Sequence, residues 1–179
     1  MNSESILLPV IPLRGITIFP NMIIHFDIGR EKSVASLEQA MLKDGNIFLV
    51  TQKDPNLELP EDKNDIYSIG TICKIKQILK LPKGGATRVL VEGIERAEVI
   101  DFIVNETFLE CNVKKILDKE SDVEDKEDTA FKNQLIKAFD EYIYATECDE
   151  SKVSSLIDQE NNLSKISDLV AAYMQLSDE

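Results

Sequence analysis

The chain has 179 residues, 43% of them hydrophobic and 30% charged, which is enough for one or two small domains, each with its own core. Its formal charge of −13 argues against general binding to phosphate backbones, and its longest apolar runs, Ile6–Leu8 and Ile47–Val50, are far too short to span a bilayer. Three scattered cysteines (Cys73, Cys111, Cys148), no CxxC and one histidine favour neither a disulfide scaffold nor a zinc site.

The first 117 residues read mainly as strands. Ile6 to Leu13 is apolar but holds Pro9 and Pro12, which suits an edge strand. Met22 to Ile28 follows a turn at Pro20-Asn21 and puts Met22, Ile24, Phe26 and Ile28 on one face. Gly29 ends it. Arg30 to Lys43 takes helical spacing, with Val34, Leu37, Ala40 and Met41 on one stripe and Lys32, Ser36, Gln39 and Lys43 toward water. Gly45 supplies a left-handed stop. Ile47 to Thr51 reads as a buried strand, and Asp54 to Asp65 as a polar loop whose Leu57 and Leu59 either tuck onto the barrel or stay open to an apolar partner.

A long strand runs from Ser68 to Leu81, with Cys73, Ile75, Leu79 and Leu81 opposite Lys74, Lys76 and Lys80. Lys83-Gly84-Gly85 makes a hairpin turn, and Arg88 to Glu92 returns beside it. Gly93 permits a bulge or sharp bend before strands at Ala97–Val104 and Phe108–Ile116. One helix among some six strands predicts a partly closed β-barrel with the helix packed on it.

Residues 118–128 hold seven acids and two bases and read as a solvated acidic hinge. The period then turns helical. A helix from about Thr129 to Thr146 carries Phe131, Leu135, Phe139 and Tyr142 or Ile143 on one stripe. A short helix near Glu150–Asp158 and another near Leu163–Leu176 come next, the latter with Leu163, Ile166, Val170 and Tyr173 in register. Ser177-Asp178-Glu179 looks like the start of a further helix, an expectation that the natural chain continues.

Catalytic signatures are missing. Lys83-Gly84-Gly85 lacks the spacing and following helix of a phosphate loop, and His25 has no serine, cysteine or carboxylate tied to it by a motif. The lysine face at 74, 76 and 80 is either an anionic-partner patch or protection against strand-edge pairing.

The ordered set Leu8-Pro9, Pro12-Leu13-Arg14, Phe19-Pro20, Gly29-Arg30-Glu31-Lys32-Ser33, Phe48 to Lys53, Ile69-Gly70-Thr71, Lys80-Leu81-Pro82 and Val89 to Gly93 closely resembles the N-terminal substrate-recognition domain of the bacterial ATP-dependent Lon proteases. A weaker match runs from Ile166 to Ala172, and many members carry proline where this chain has His25. The resemblance implies an α+β fold. A PUA-like β pseudo-barrel with one packed helix would occupy residues 1–117, and a small α-helical subdomain residues 129–179. It also implies a non-catalytic part of a hexameric serine protease; the start MNSESILL, without the basic end and long apolar segment of a signal peptide, places the chain by expectation in the cytoplasm. Its partners would be unfolded or damaged protein clients and its own ATPase and protease domains. ATP, magnesium and a Ser-Lys dyad would lie outside this chain. Glu31 and Lys32 are carried over as client contacts, and Arg30, Phe19, Pro20, Leu57 and Leu59 complete the candidate surface. The alternative is a stand-alone PUA-like domain binding RNA or protein.

Overall fold

The computed structural model describes residues 5–80, 86–116, 126–146, 157, 160 and 162–174. The chain divides into two compact units, Met1–Leu117 and Asp118–Glu179. No helix among the described residues is long and apolar enough to cross a membrane.

The first unit is built on strands β1 (Ser5–Leu13), β2 (Ile23–Ile28), β3 (Asn46–Thr51), β4 (Ile69–Lys80), β5 (Thr87–Val104) and β6 (Leu109–Lys115), with one helix, α1 (Glu31–Leu42), and a 3-10 turn at Lys63–Asp65. The sheet order is β2-β5-β4-β3-β1-β6, and a further β5–β6 pairing closes a ring. Among the described residues only β1 and β3 run parallel; the other pairs are antiparallel. The α+β barrel with one packed helix is therefore the observed architecture.

β1 is an interior strand rather than the expected edge. It pairs with β6 from Ser5 to Pro9 and with β3 from Val10 to Leu13, so each half has a partner on one side only. Along a strand the N–H and C=O of one residue point the same way. The Leu13 carbonyl accepts from Gln52 on the β3 side, while the Pro12 carbonyl accepts from the Arg30 side chain. The missing N–H of Pro12 thus falls on the side without a strand, where it costs no ladder bond.

β3 is buried on both faces, which explains its unbroken apolar run. Ile47 and Leu49 join Ile11, Leu13, Phe26, Ile28, Leu37, Cys73 and Val89 in one core. Phe48 and Val50 join Leu8, Val10, Ile66, Ile72, Phe102, Leu109 and Cys111 in another. Leu37 of α1 is 2% exposed, a burial worth about 1.5–3 kcal/mol.

Several facings differ from the strict periodicities. Ser36, expected in water, is buried: its hydroxyl donates to the Lys32 carbonyl (2.9 Å) and accepts from the Leu109 N–H (3.0 Å), tying α1 to β6. Met41, expected inside, is 50% exposed. In β4 the register slips between Ile75 and Gln77, which inverts the alternation beyond it. Ile78 then packs on the core and Leu79 is exposed. Arg88–Glu92 and Ala97–Val104, expected as separate strands, form the single β5, with a second register shift at Gly93. Gly45 does take the left-handed conformation (φ 71°), and its N–H bonds the Ala40 carbonyl.

In the second unit, α2 (Lys126–Thr146) and α3 (Leu163–Tyr173) bury Phe139, Ile143, Ile166 and Val170 with Ile157. Residues 126–128, read as hinge, belong to α2. Phe131 departs from its expected inward stripe at 62% exposure, and Tyr173 stands 45% exposed. Asn162 caps α3 by accepting from the Lys165 N–H at 3.1 Å. The expected hairpin turn at 83–85, hinge residues 118–125, most of the helix at 150–158, Cys148 and the terminal 177–179 lie outside the described residues.

Phe19–Met22 is a turn with Pro20 at its second position and Asn21 at a positive φ (64°), the type II pattern. It docks on β5 through Asn21 N–H to Gly93 O (2.8 Å) and Gly93 N–H to Met22 O (2.9 Å). A Cβ at Gly93 would collide with the Phe19 carbonyl oxygen, whereas one at Gly29 meets nothing within 4 Å. Gly93→Ala should therefore destabilise by about 1–3 kcal/mol in urea unfolding, as overpacking does. Gly29→Ala should leave stability equal or raise it by about 0.4–1 kcal/mol.

Candidate functional site

The link between β2 and α1 faces the loop that comes after β3. Arg30 is the N-cap residue of α1, extended in backbone (φ −73°, ψ 130°), and its side chain makes no capping bond. Its guanidinium reaches three other segments. Nη1 donates to Gln52 Oε1 and to the Glu58 carbonyl, both at 3.0 Å, and Nη2 donates to the Pro12 carbonyl. Arg14 Nη2 donates to the Leu57 (2.9 Å) and Glu58 (3.0 Å) carbonyls. Gln52, 2% exposed, donates from Nε2 to the Asp54 (2.7 Å) and Leu57 (2.9 Å) carbonyls.

Two arginines and a buried glutamine thus hold a loop of acidic and proline residues in one shape. Hydrogen bonds from a charged donor are stronger than those between neutral groups. Burial, and next the neighbouring Arg14 charge, lower the Arg30 pKa below its ordinary value. An arginine nevertheless stays protonated at neutral pH.

Beside this lock lies an open cleft of about 690 Å³, bordered by Gly29, Arg30, Glu31, Lys32, Leu57, Glu58, Leu59 and Glu61. Arg30, Glu31, Lys32, Leu57 and Leu59, drawn from two distant segments of the sequence, meet there. Their tasks differ. Arg30 is spent on the loop. Lys32, expected in water, is half-buried and donates from Nζ to the Asn105 carbonyl at 2.7 Å, joining α1 to the β5–β6 turn. Leu59 packs on the second core, so it is tucked onto the barrel. Glu31 is exposed and Leu57 half-buried, both at the cleft.

Phe19 and Pro20 are not part of the cleft; they form the turn clamped to Gly93. Gln52, Glu58 and Glu61 were assigned no role from sequence. Gln52 carried a usable signal, a polar residue directly after the buried run of β3. Glu58 and Glu61 carried none, because loop carboxylates are ordinarily solvated.

The lysine face is largely engaged within the unit. Lys76 pairs with Glu92 at 2.5 Å and Lys74 donates to the Asp44 carbonyl. Lys80 falls beyond the register slip, out of phase with both. His25 lies exposed on β2. Burial pushes the thiols of Cys73 and Cys111 up to about 12, so both are protonated and weakly nucleophilic at neutral pH. Among the described residues no three His, Cys, Asp or Glu side chains cluster as metal ligands would.

Residues 7–179 match the family described as the ATP-dependent protease La (LON) substrate-binding domain. The chain belongs to that family. It is 41% identical over 179 residues to the Lon protease of Clostridium acetobutylicum, covering 100% of this chain and 23% of that protein. It is 38% identical over 169 residues to Lon protease 1 of Bacillus subtilis, covering 94% and 21%. The chain thus spans about a fifth of the length of these curated relatives. The N-terminal domain of the Mycobacterium avium complex Lon protease shares its fold, with a TM-score of 0.74 at 18% identity over 96% of this chain and 84% of that one.

Arg30→Lys keeps the charge and loses the planar fork. It should destabilise the first unit by about 1–2 kcal/mol and speed amide hydrogen exchange across residues 54–60, with the centre of α1 still protected. Unchanged exchange in that loop would show that Arg30 does not hold it. Peptide-resolved alkylation should leave Cys73 and Cys111 unmodified in the native protein and modify both in denaturant; rapid native labelling of either would contradict their burial.

Proposed function

We propose that this chain is the client-recognition part of a Lon-type ATP-dependent protease working in the cytoplasm. In this reading it captures unfolded or damaged polypeptides through the cleft between α1 and the 54–61 loop. The family assignment across residues 7–179 carries this reading. The cleft supports the location, because five of the seven residues singled out from sequence border it.

The chemistry suits adaptable, weak capture. Leu57 offers an apolar contact, and Glu31, Glu58 and Glu61 are acidic groups bordering the same cleft. An unfolded segment with apolar side chains and basic flanks complements that combination. The loop is already ordered by Arg14, Arg30 and Gln52, so binding need not supply the entropy of ordering it. In this reading ATP and magnesium, the Ser-Lys dyad and the hexamer belong to regions of the protease outside this chain. The 179 residues alone turn over neither ATP nor peptide.

The test pairs Glu31→Ala with Leu57→Ala. It should weaken capture of a permanently unfolded, reduced and alkylated client at least threefold, while stability changes by no more than about 1 kcal/mol. Undiminished capture would remove the cleft from the proposal, and turnover of ATP or peptide by the pure chain would overturn it. Lys32→Ala is a poorer probe, since it also breaks the bond to Asn105.

A further inference from the structure

A second recess lies on the other side of Gly29 and Arg30. Among the described residues, β1 pairs only with β3 from Val10 to Leu13, and β2 pairs only with β5. The two free edges border a groove of about 350 Å³. We propose that this seam binds the C-terminal carboxylate of an extended polypeptide whose last residue is apolar. The proposal rests on the client-binding reading and gives it a chemical class of end group.

The anion end is built from three kinds of donor. α1 is 12 residues long and has no side-chain cap. Its first bonded N–H is that of Val34, to the Arg30 carbonyl at 3.0 Å. Among the described residues the N–H groups of Glu31, Lys32 and Ser33 have no protein acceptor; of these three residues Ser33 borders this groove, while Glu31 and Lys32 border the other cleft.

Ser33 borders the groove, is 1% exposed, and its Oγ has no hydrogen-bond partner. A buried hydroxyl without a partner is a standing cost to the fold. A carboxylate oxygen in the groove would remove that cost by accepting from it.

Arg14 and Arg30 also border the groove. Neither has a carboxylate within ion-pair distance among the described residues; both bond only neutral acceptors. A guanidinium carries five donors, so Arg14 and Arg30 retain N–H groups for a ligand. The acid on this wall is Asp27, and Arg88 holds it from Nε (2.6 Å) and Nη2 (2.9 Å). That pairing lowers the Asp27 pKa, so its charge is offset by Arg88. Glu31 borders the other cleft.

The rest of the groove is apolar. Ile11, Leu13, Phe26 and Ile28 line it and Ile16 stands at its rim, which suits an apolar terminal side chain. The unpaired edge of β2 offers backbone groups to an incoming strand, so the peptide would be held by its main chain and by its end.

The test is fluorescence anisotropy on the 179-residue chain with three labelled decapeptides: one ending in leucine with a free carboxylate, its C-terminal amide, and that amide with glutamate at the penultimate position. The free acid should bind at least tenfold tighter than either amide. Ser33→Ala should weaken acid binding at least fivefold while the melting temperature stays equal or rises, because an unpaired buried hydroxyl has gone. Arg14→Gln should weaken it and flatten its salt dependence. Equal affinity of acid and amide, with the unfolded client still captured, would overturn the seam site and leave the cleft reading standing. Glutamate in the amide restoring full affinity would overturn terminal recognition in favour of a side-chain carboxylate. Ser33→Ala binding like the parent would also overturn the site. Acid binding that persists while unfolded clients are ignored would instead remove the client-capture reading.

Discussion

The division of β1 between two partners determines how the first unit closes and where it stays open. A strand that pairs with β6 for its first half and β3 for its second closes a ring at one end and leaves it unsealed at the other. Arg30 bridges that unsealed end. Its guanidinium takes the carbonyl that Pro12 turns away from β3, and the same plane reaches Gln52 and Glu58. A lysine would gather its donors on one nitrogen at the end of a flexible stem; the planar fork spreads them over two nitrogens and meets all three acceptors. The helix start, the strand end and the acidic loop are therefore one mechanical joint. The cleft beside it has a defined shape because the joint is rigid.

Much of the barrel was legible because binary patterns and punctuation agree along it. Gly45 stops α1, the double-sided burial of β3 shows as an unbroken apolar run, and Pro20-Asn21 marks a turn. Errors came where a single residue breaks phase. The slip after Ile75 turns Leu79 outward and Ile78 inward, and no propensity argument reveals a bulge that depends on the partner strand. Pro12 misled in another way. It signals one free strand side, which is true, but one free side does not require a sheet edge.

The candidate cleft was legible as residues and not as an arrangement. Gly29–Lys32 and Leu57–Leu59 were both singled out, yet nothing in their spacing says that the chain between them folds back to join them. The connection is made by backbone carbonyls, which are the same in every sequence. Side-chain roles also depend on it: Lys32 reads as a solvated charge until the Asn105 carbonyl is placed 2.7 Å away. Phe19 and Pro20 are prominent because a turn needs them, and prominence alone does not distinguish a clamp from a contact.

The groups left without partners are not scattered. The Ser33 hydroxyl in the uncapped first turn of α1, the spare donors of Arg14 and Arg30 and the outer edge of β2 from Phe26 to Ile28 all border one groove. Among the other described residues the buried side-chain polar atoms have partners, as Ser36 has in Lys32 and Leu109, and Thr71 in Ile18 at 2.5 Å. A fold selected only for stability could have repaired each defect cheaply: an aspartate or serine in place of Arg30 would cap the helix, and alanine would replace Ser33 without a void larger than one oxygen. The first repair is not free, however. Losing Arg30 would release the loop that shapes the cleft. The unsatisfied helix end is thus the direct consequence of giving the N-cap position to a side chain whose work lies elsewhere, and the neighbouring groove inherits the donors that result.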